Sequence, residues 1–208
     1  MALLYRAELN PTKLELLNTW LPDRPWYQGP AVPDLRRVVS YRFDDPEGEV
    51  GMETLIVQDG DGPLHQVPLT YRGAPLDSHE RWLVGTSEHS VLGLRYVYDA
   101  CGDPVYASVL ACTIVTGAGQ AEEFLEVDGR LERRDPAMSV RGSGAPGADA
   151  PRIVAVAGVD DGDPTLFRAG SLELAVVRIL DRVREADAPN LTGSWDGQPA
   201  ALLLAYAR

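Results

Sequence analysis

The chain has 208 residues, 45% of them apolar, which is enough for one compact domain with a core of its own. Its 31 acidic residues outnumber 19 basic ones, and a formal charge of -12 repels phosphate backbones and anionic lipid, which argues against nucleic acid and membrane surfaces as partners. No apolar run is long enough to cross a membrane, and Arg6 and Glu8 interrupt the opening "MALLYRAELN" before a signal core can form, so a cytoplasmic protein is expected.

The first predicted element is an amphipathic helix over residues 11–21. Asn10 can cap it, Pro11 fits its first position, and Leu14, Leu17 and Leu21 fall on one stripe with Trp20 beside them. Pro22 and Pro25 end it inside "WLPDRPWYQGP", residues 20–30. A buried indole needs a partner for its N–H, arginine can stack on an aromatic face, and proline fixes the path of the chain. The stretch reads as a rigid corner that packs a helix end onto a sheet, with an aromatic platform for a ligand or partner as the other reading.

The period then changes to two. Leu35, Arg37, Val39, Tyr41 and Phe43 alternate with Arg36, Val38, Ser40 and Arg42, a second strand covers about 49–57, and "DGDGP" at 59–63 turns the chain into a third strand ending at Tyr71. Short links favour antiparallel pairing. Pro68 removes a ladder donor, so that third strand is expected at a sheet edge or at a bulge. "LGLRYVYDA", residues 92–100, alternates again, and Asp103 with Pro104 opens a second helix that Gly117 stops.

Residues 118–136 are compatible with either helix or strand, and "RGSGAPGADAP" at 141–151 has the composition of a loop or linker. "RIVAVAGV", "SLELAVVRIL" and "PAALLLAYAR" then read as strands. About seven strands, with two helices on one side of a mainly antiparallel sheet, make an α+β domain spanning 1–208. Exposed sheet edges can pair between copies, which leaves a homodimer open.

Several motifs are weaker than they look. "GSGAPG", Gly142 to Gly147, matches a dinucleotide fingerprint in letters, but it precedes a β-rich run instead of opening a helix whose amides could hold a pyrophosphate. His65, His79 and His89 lack zinc spacing, Cys101 and Cys112 are read as reduced apolar packers, and "DDGDP" at 160–164 reads as a solvated turn. No metal or cofactor is expected. Lys13 is the single lysine among the basic residues, and no phosphate-binding loop or kinase signature accompanies it, so kinase chemistry is not expected. In "GTSEHSVLG", 85–93, Glu88 and His89 have acid and base potential, but on a strand they would face opposite ways.

The apolar helix, "WLPDRPWYQG", the strands, "HQVPLTYRGAPL", "GTSEHSVLGLRYVYDACGDPVY" and a terminal "LELAVVRIL", in that order, resemble the maltokinase N-terminal cap domain family. The resemblance covers roughly residues 8–115 and, more loosely, 165–208. It implies a cystatin-like fold, a curved, mainly antiparallel sheet packed on an N-terminal helix with a second short helix. In full-length maltokinases the cap precedes a two-lobed kinase; the chain also resembles short stand-alone members, some labelled 1,4-α-glucan branching proteins. Where many caps carry a lysine after the glycine, this chain has Trp26, Tyr27, Gln28, Gly29 and Pro30. A branching enzyme needs a large barrel that sets two carboxylates about 5 Å apart, and neither that length nor its motifs are present.

These readings lead to an accessory or binding protein in glycogen and trehalose-maltose metabolism, without kinase machinery. Its partner would be a sugar kinase, a glucan enzyme or a small polar ligand. Trp26, Tyr27, Tyr71 and Arg72 are the expected contacts, Arg72 through two hydrogen bonds to an anion. The alternative is a small enzyme using the concave sheet face, with His65, Glu88, His89 and Asp99 as proton carriers.

Overall fold

Thr12, not Asn10, starts the first helix. In the computed structural model, which describes residues 2–4, 8–127, 130–151, 153–180, 184–198 and 200–208, helix α1 runs Lys13–Trp20. Thr12 Oγ accepts the Glu15 N–H while the Glu15 carboxylate accepts the Thr12 N–H, so each side chain satisfies a helix-end donor of the other. Pro11 lies outside the helix, and a short 3₁₀ turn, Leu21–Asp23, carries the chain off its end.

The first sheet contains β2 (Leu9–Asn10), β3 (Leu35–Phe43), β4 (Gly51–Asp59), β5 (His65–Arg72), β6 (Leu83–His89) and β7 (Gly93–Asp99), in the order β2-β6-β7-β5-β4-β3. All its pairings are antiparallel. β5 is interior and pairs with β4 without a register shift, which corrects the expectation of an edge or bulged strand. The Gln66 N–H points to the Arg178 carbonyl, and β5 pairs with β7 only from Leu69. Alternation aims the missing Pro68 donor the same way as Gln66, into the gap before that pairing begins.

Helix α2 is Pro104–Thr116, capped by Asp103 and closed by Gly117 at φ 68. β1 (Ala2–Leu4), β8 (Glu123–Val127) and β9 (Arg130–Arg134) form a small sheet with a parallel β1–β8 pair. A second large sheet follows, built from β10 (Met138–Gly142), β11 (Val156–Asp160), β12 (Thr165–Ala169), β13 (Leu172–Val176), β14 (Asn190–Trp195) and β15 (Leu202–Ala207), in the order β10-β14-β15-β13-β12-β11. The curved, mainly antiparallel α+β class agrees with the sequence reading, though the described residues hold more strands than the seven expected.

The helices lie on opposite faces of the first sheet, not on one side. Leu17, Trp20 and Leu21 pack on Leu55, Val57, Val67, Leu69 and Val97. Tyr106, Leu110 and Ile114 of α2 share a cluster with Tyr41, Phe43, Met52 and Ile56 and, beyond them, Val140, Phe167, Leu174 and Leu204 of the second sheet. With both faces covered, β4 and β5 are buried along most of their length, polar residues included.

The glycine-rich stretch is docked instead of hanging free. Gly144 and Ala145 N–H groups donate to the Ile114 and Val115 carbonyls at 2.9 and 3.1 Å, and Ser143 and Asn190 exchange two further bonds. A Cβ on Gly142 or Gly144 would overlap the carbonyls of Thr113 or Val115, so only glycine permits this approach. The contact is with the carbonyl end of α2, the wrong end for a phosphate.

Candidate functional site

Trp26 is a joint. Its side chain is 3% exposed, its Nε1–H donates to Asp161 at 2.8 Å, and the Arg178 guanidinium lies over its ring at 4.5 Å. Arg24 stacks on Trp20 at 4.7 Å and reaches Asp161 at 3.8 Å. "WLPDRPWYQGP" therefore clamps the first sheet to the β11–β12 turn. Asp161 and Asp163 are part of that clamp and not merely solvated: Asp163 accepts the Arg178 N–H at 2.9 Å and pairs with Arg184.

The other expected contacts are also engaged within the chain. Tyr27 is half-buried against the His65 ring, with centroids 5.0 Å apart. Arg72 does grip a carboxylate through two bonds of 2.7 Å, but the carboxylate is Asp103, the cap of α2. Tyr71 donates its hydroxyl toward Glu53 at 3.4 Å.

The four expected proton carriers are set apart. His65 packs between Trp26 and Tyr27 and accepts the Gln28 N–H at 3.2 Å. Asp99 is fully buried on Arg178 Nη2 at 2.6 Å, with Thr165 Oγ1 on Arg178 Nε at 2.7 Å and Cys101 Sγ on Nη2 at 3.3 Å. Glu88 and His89 occupy successive positions of β6 and face opposite sides, as strand geometry requires. His89 Nδ1 accepts the Val91 and Leu92 N–H groups, closing the β6–β7 turn.

A different constellation forms on the α1 face of the first sheet. Glu53 is 4% exposed and receives Lys13 Nζ, Arg42 Nη2 at 3.1 Å and the Tyr71 hydroxyl. Lys13 Nζ also sits 5.4 Å from the centre of the Tyr71 ring. Burial alone would raise the Glu53 carboxyl, but Lys13 and Arg42 outweigh it and hold the group below the usual carboxylate range. Burial, with Arg42 and Arg37 nearby, pushes Lys13 down despite Glu53. Burial and then Glu53 push the Tyr71 phenol well up.

The chemistry available there is charge recognition. Sequence alternation places Arg37 and Arg42 on opposite faces, yet a register shift between Arg37 and Val39 brings both to the α1 side, opposite Val57 and Glu53 respectively. No residue type in the sequence marks such a bulge, so the cluster was hidden from pattern reading; the lone Lys13 was its only sign. Among the described residues, no group of three or more His, Cys, Asp or Glu side chains is placed to hold a metal ion, and no helix is long and apolar enough to cross a membrane.

No curated protein matches the chain. Residues 20–103 match the family model of the maltokinase N-terminal cap domain, a segment that runs from the last residue of α1 through β3–β7 to the cap of α2, and it is this domain that the first sheet of the chain resembles.

Proposed function

We propose that the chain is a single cap-like domain that acts as a non-catalytic accessory module in maltose- and glycogen-type carbohydrate metabolism, docking on a sugar kinase or a glucan enzyme. The match of its first sheet to a maltokinase cap supports the setting. The observation that carries the accessory role is the internal engagement of its polar groups. Asp99 is spent on Arg178 and Asp103 on Arg72, while Glu88 and His89 diverge, so the described contacts assemble no acid–base pair around an open hollow.

The docking surface is the tip of the β6–β7 hairpin. Val91, Leu92 and Leu94 are 57%, 42% and 40% exposed and cluster on one hairpin, whereas the other exposed large apolar side chains among the described residues, Val32, Leu131 and Val154, are scattered singly along the chain. Mixing the purified chain with a purified maltokinase and with a glycogen branching enzyme, followed by light scattering on a sizing column, tests the reading. A complex with one of them that Leu92→Glu abolishes is expected. Phosphorylation of maltose by the chain alone with ATP, or no complex with either enzyme, would overturn it.

A further inference from the structure

We propose that Lys13, Arg37 and Arg42 form a subsite for a phosphate monoester on the α1 face of the first sheet, with Glu53 and Tyr71 holding the cations in place. The argument begins with charge. Arg42 and Lys13 share the single carboxylate of Glu53, and Arg42 Nε reaches Glu123 only at 4.0 Å, a carboxylate that Arg134 also approaches at 3.7 Å. Arg37 is exposed and makes no hydrogen bond or ion pair among the described residues. Among the described residues, Lys13, Arg37, Arg42 and Arg134 thus face Glu53 and Glu123, a surplus of two positive charges within a chain of net charge -12.

Burial and the cations together shift the neighbouring groups. The Glu53 carboxyl is held ionised by Lys13 and Arg42, and Lys13 itself is pushed toward its neutral form by burial and by the two arginines. His89, on the same face of β6, is lowered by burial, then by Arg95 and Lys13. Burial is the largest cause of the Lys13 shift, with Glu53 opposing it and the arginines adding to it; a bound anion would act in the same direction as Glu53 and favour the charged ammonium.

Geometry selects the anion. Lys13 and Arg42 are one-fifth exposed at the side chain, 23% and 20%, while Glu53 beneath them is 3%, so the cations form the open layer over a closed floor. An ammonium and two guanidinium groups on one face of the sheet suit a group with three oxygens and nearly two charges better than a carboxylate. The Tyr71 ring beside Lys13 offers an apolar edge to whatever the phosphate carries.

Titration calorimetry on the full chain, with inorganic phosphate, a hexose 1-phosphate and the free hexose as probes, decides the matter. Both phosphates are expected to bind, the ester more tightly, with affinity falling as salt rises; the free hexose gives no heat. Arg37→Gln, a surface change that leaves the melting temperature in place, is expected to weaken binding about ten-fold, and Lys13→Met by at least as much. Silence from both phosphates, unchanged affinity in both variants, or tighter binding of inorganic phosphate than of the ester would overturn the assignment. Failure here leaves the complex with a kinase or glucan enzyme untouched, because the β6–β7 tip is not part of this subsite.

Discussion

The α1 face of the first sheet carries two clusters built from the same ingredients: cation, carboxylate and aromatic ring. Around Arg178 they match one to one. Asp99 neutralises the guanidinium, Trp26 covers it, and both charged side chains are 0% exposed. Around Glu53 one sealed carboxylate serves two partly exposed cations, Lys13 and Arg42. Closure and charge balance make the first a strut: Arg178 Nη1 has no hydrogen-bond partner among the described residues, but its buried position shuts out any outside group. Openness and surplus make the second available to a ligand.

The largest effect should come from breaking the strut. Asp99→Ala leaves Arg178 buried and uncompensated, and such a deletion costs about 3–5 kcal/mol. Urea unfolding should show the unfolding free energy falling by that amount, through a lower midpoint with the slope retained. Replacing both partners, Asp99→Leu with Arg178→Met, is expected to recover most of the loss, because the penalty belongs to the stranded charge. A single variant that loses less than about 1 kcal/mol would erase the distinction between the clusters.

A smaller effect sharpens the same point from the aromatic side. Trp26→Phe keeps a ring beneath Arg178 but removes the N–H that Asp161 accepts at 2.8 Å. Asp161 keeps Arg24 and is 26% exposed, so water can replace the lost donor. The expected cost is about 1–2 kcal/mol in the same unfolding measurement. A full loss of folding would mean that the corner is held by the indole N–H and not by the stacked charge.

How much of this was legible follows from the range of the interactions. The strand from Leu35 to Phe43, the Asp103–Pro104 opening and the Gly117 stop of α2 are local, and each appears where the sequence placed it. "WLPDRPWYQGP" could be read as a stiff corner because its chemistry is also local. Its partners could not: Asp161 and Arg178 lie far along the chain, and nothing in "DDGDP" or "RIL" announces which tryptophan they meet. The glycines of 142–147 looked like a linker because composition reports permissiveness, while their actual service is close approach to the end of α2. Arg37 and Arg42 were separated by strict alternation, and one extra residue in β3 reunites them. Pattern reading fails at such a bulge, and here the bulge builds the candidate site.

The smallest effect is set by pH and concerns the open cluster. Glu53 has its folded pKa below the unfolded value of about 4.3, so its contribution is present above that pH and is lost as pH falls through 4.3 toward the folded value. Wild-type stability should therefore decline on the acid side more steeply than that of Glu53→Gln, which has no carboxylate to protonate, when denaturation midpoints are compared between about pH 3 and pH 7. The difference should be modest, because the cations above Glu53 keep access to water and can be resolvated once their carboxylate is neutral. Added phosphate should narrow the gap between the two proteins at neutral pH, since an anion over the cluster supplies part of what the missing carboxylate did. Parallel acid profiles would show that Glu53 gains nothing from its cations, and the contrast between a sealed pair and a cation-rich opening would fall with it.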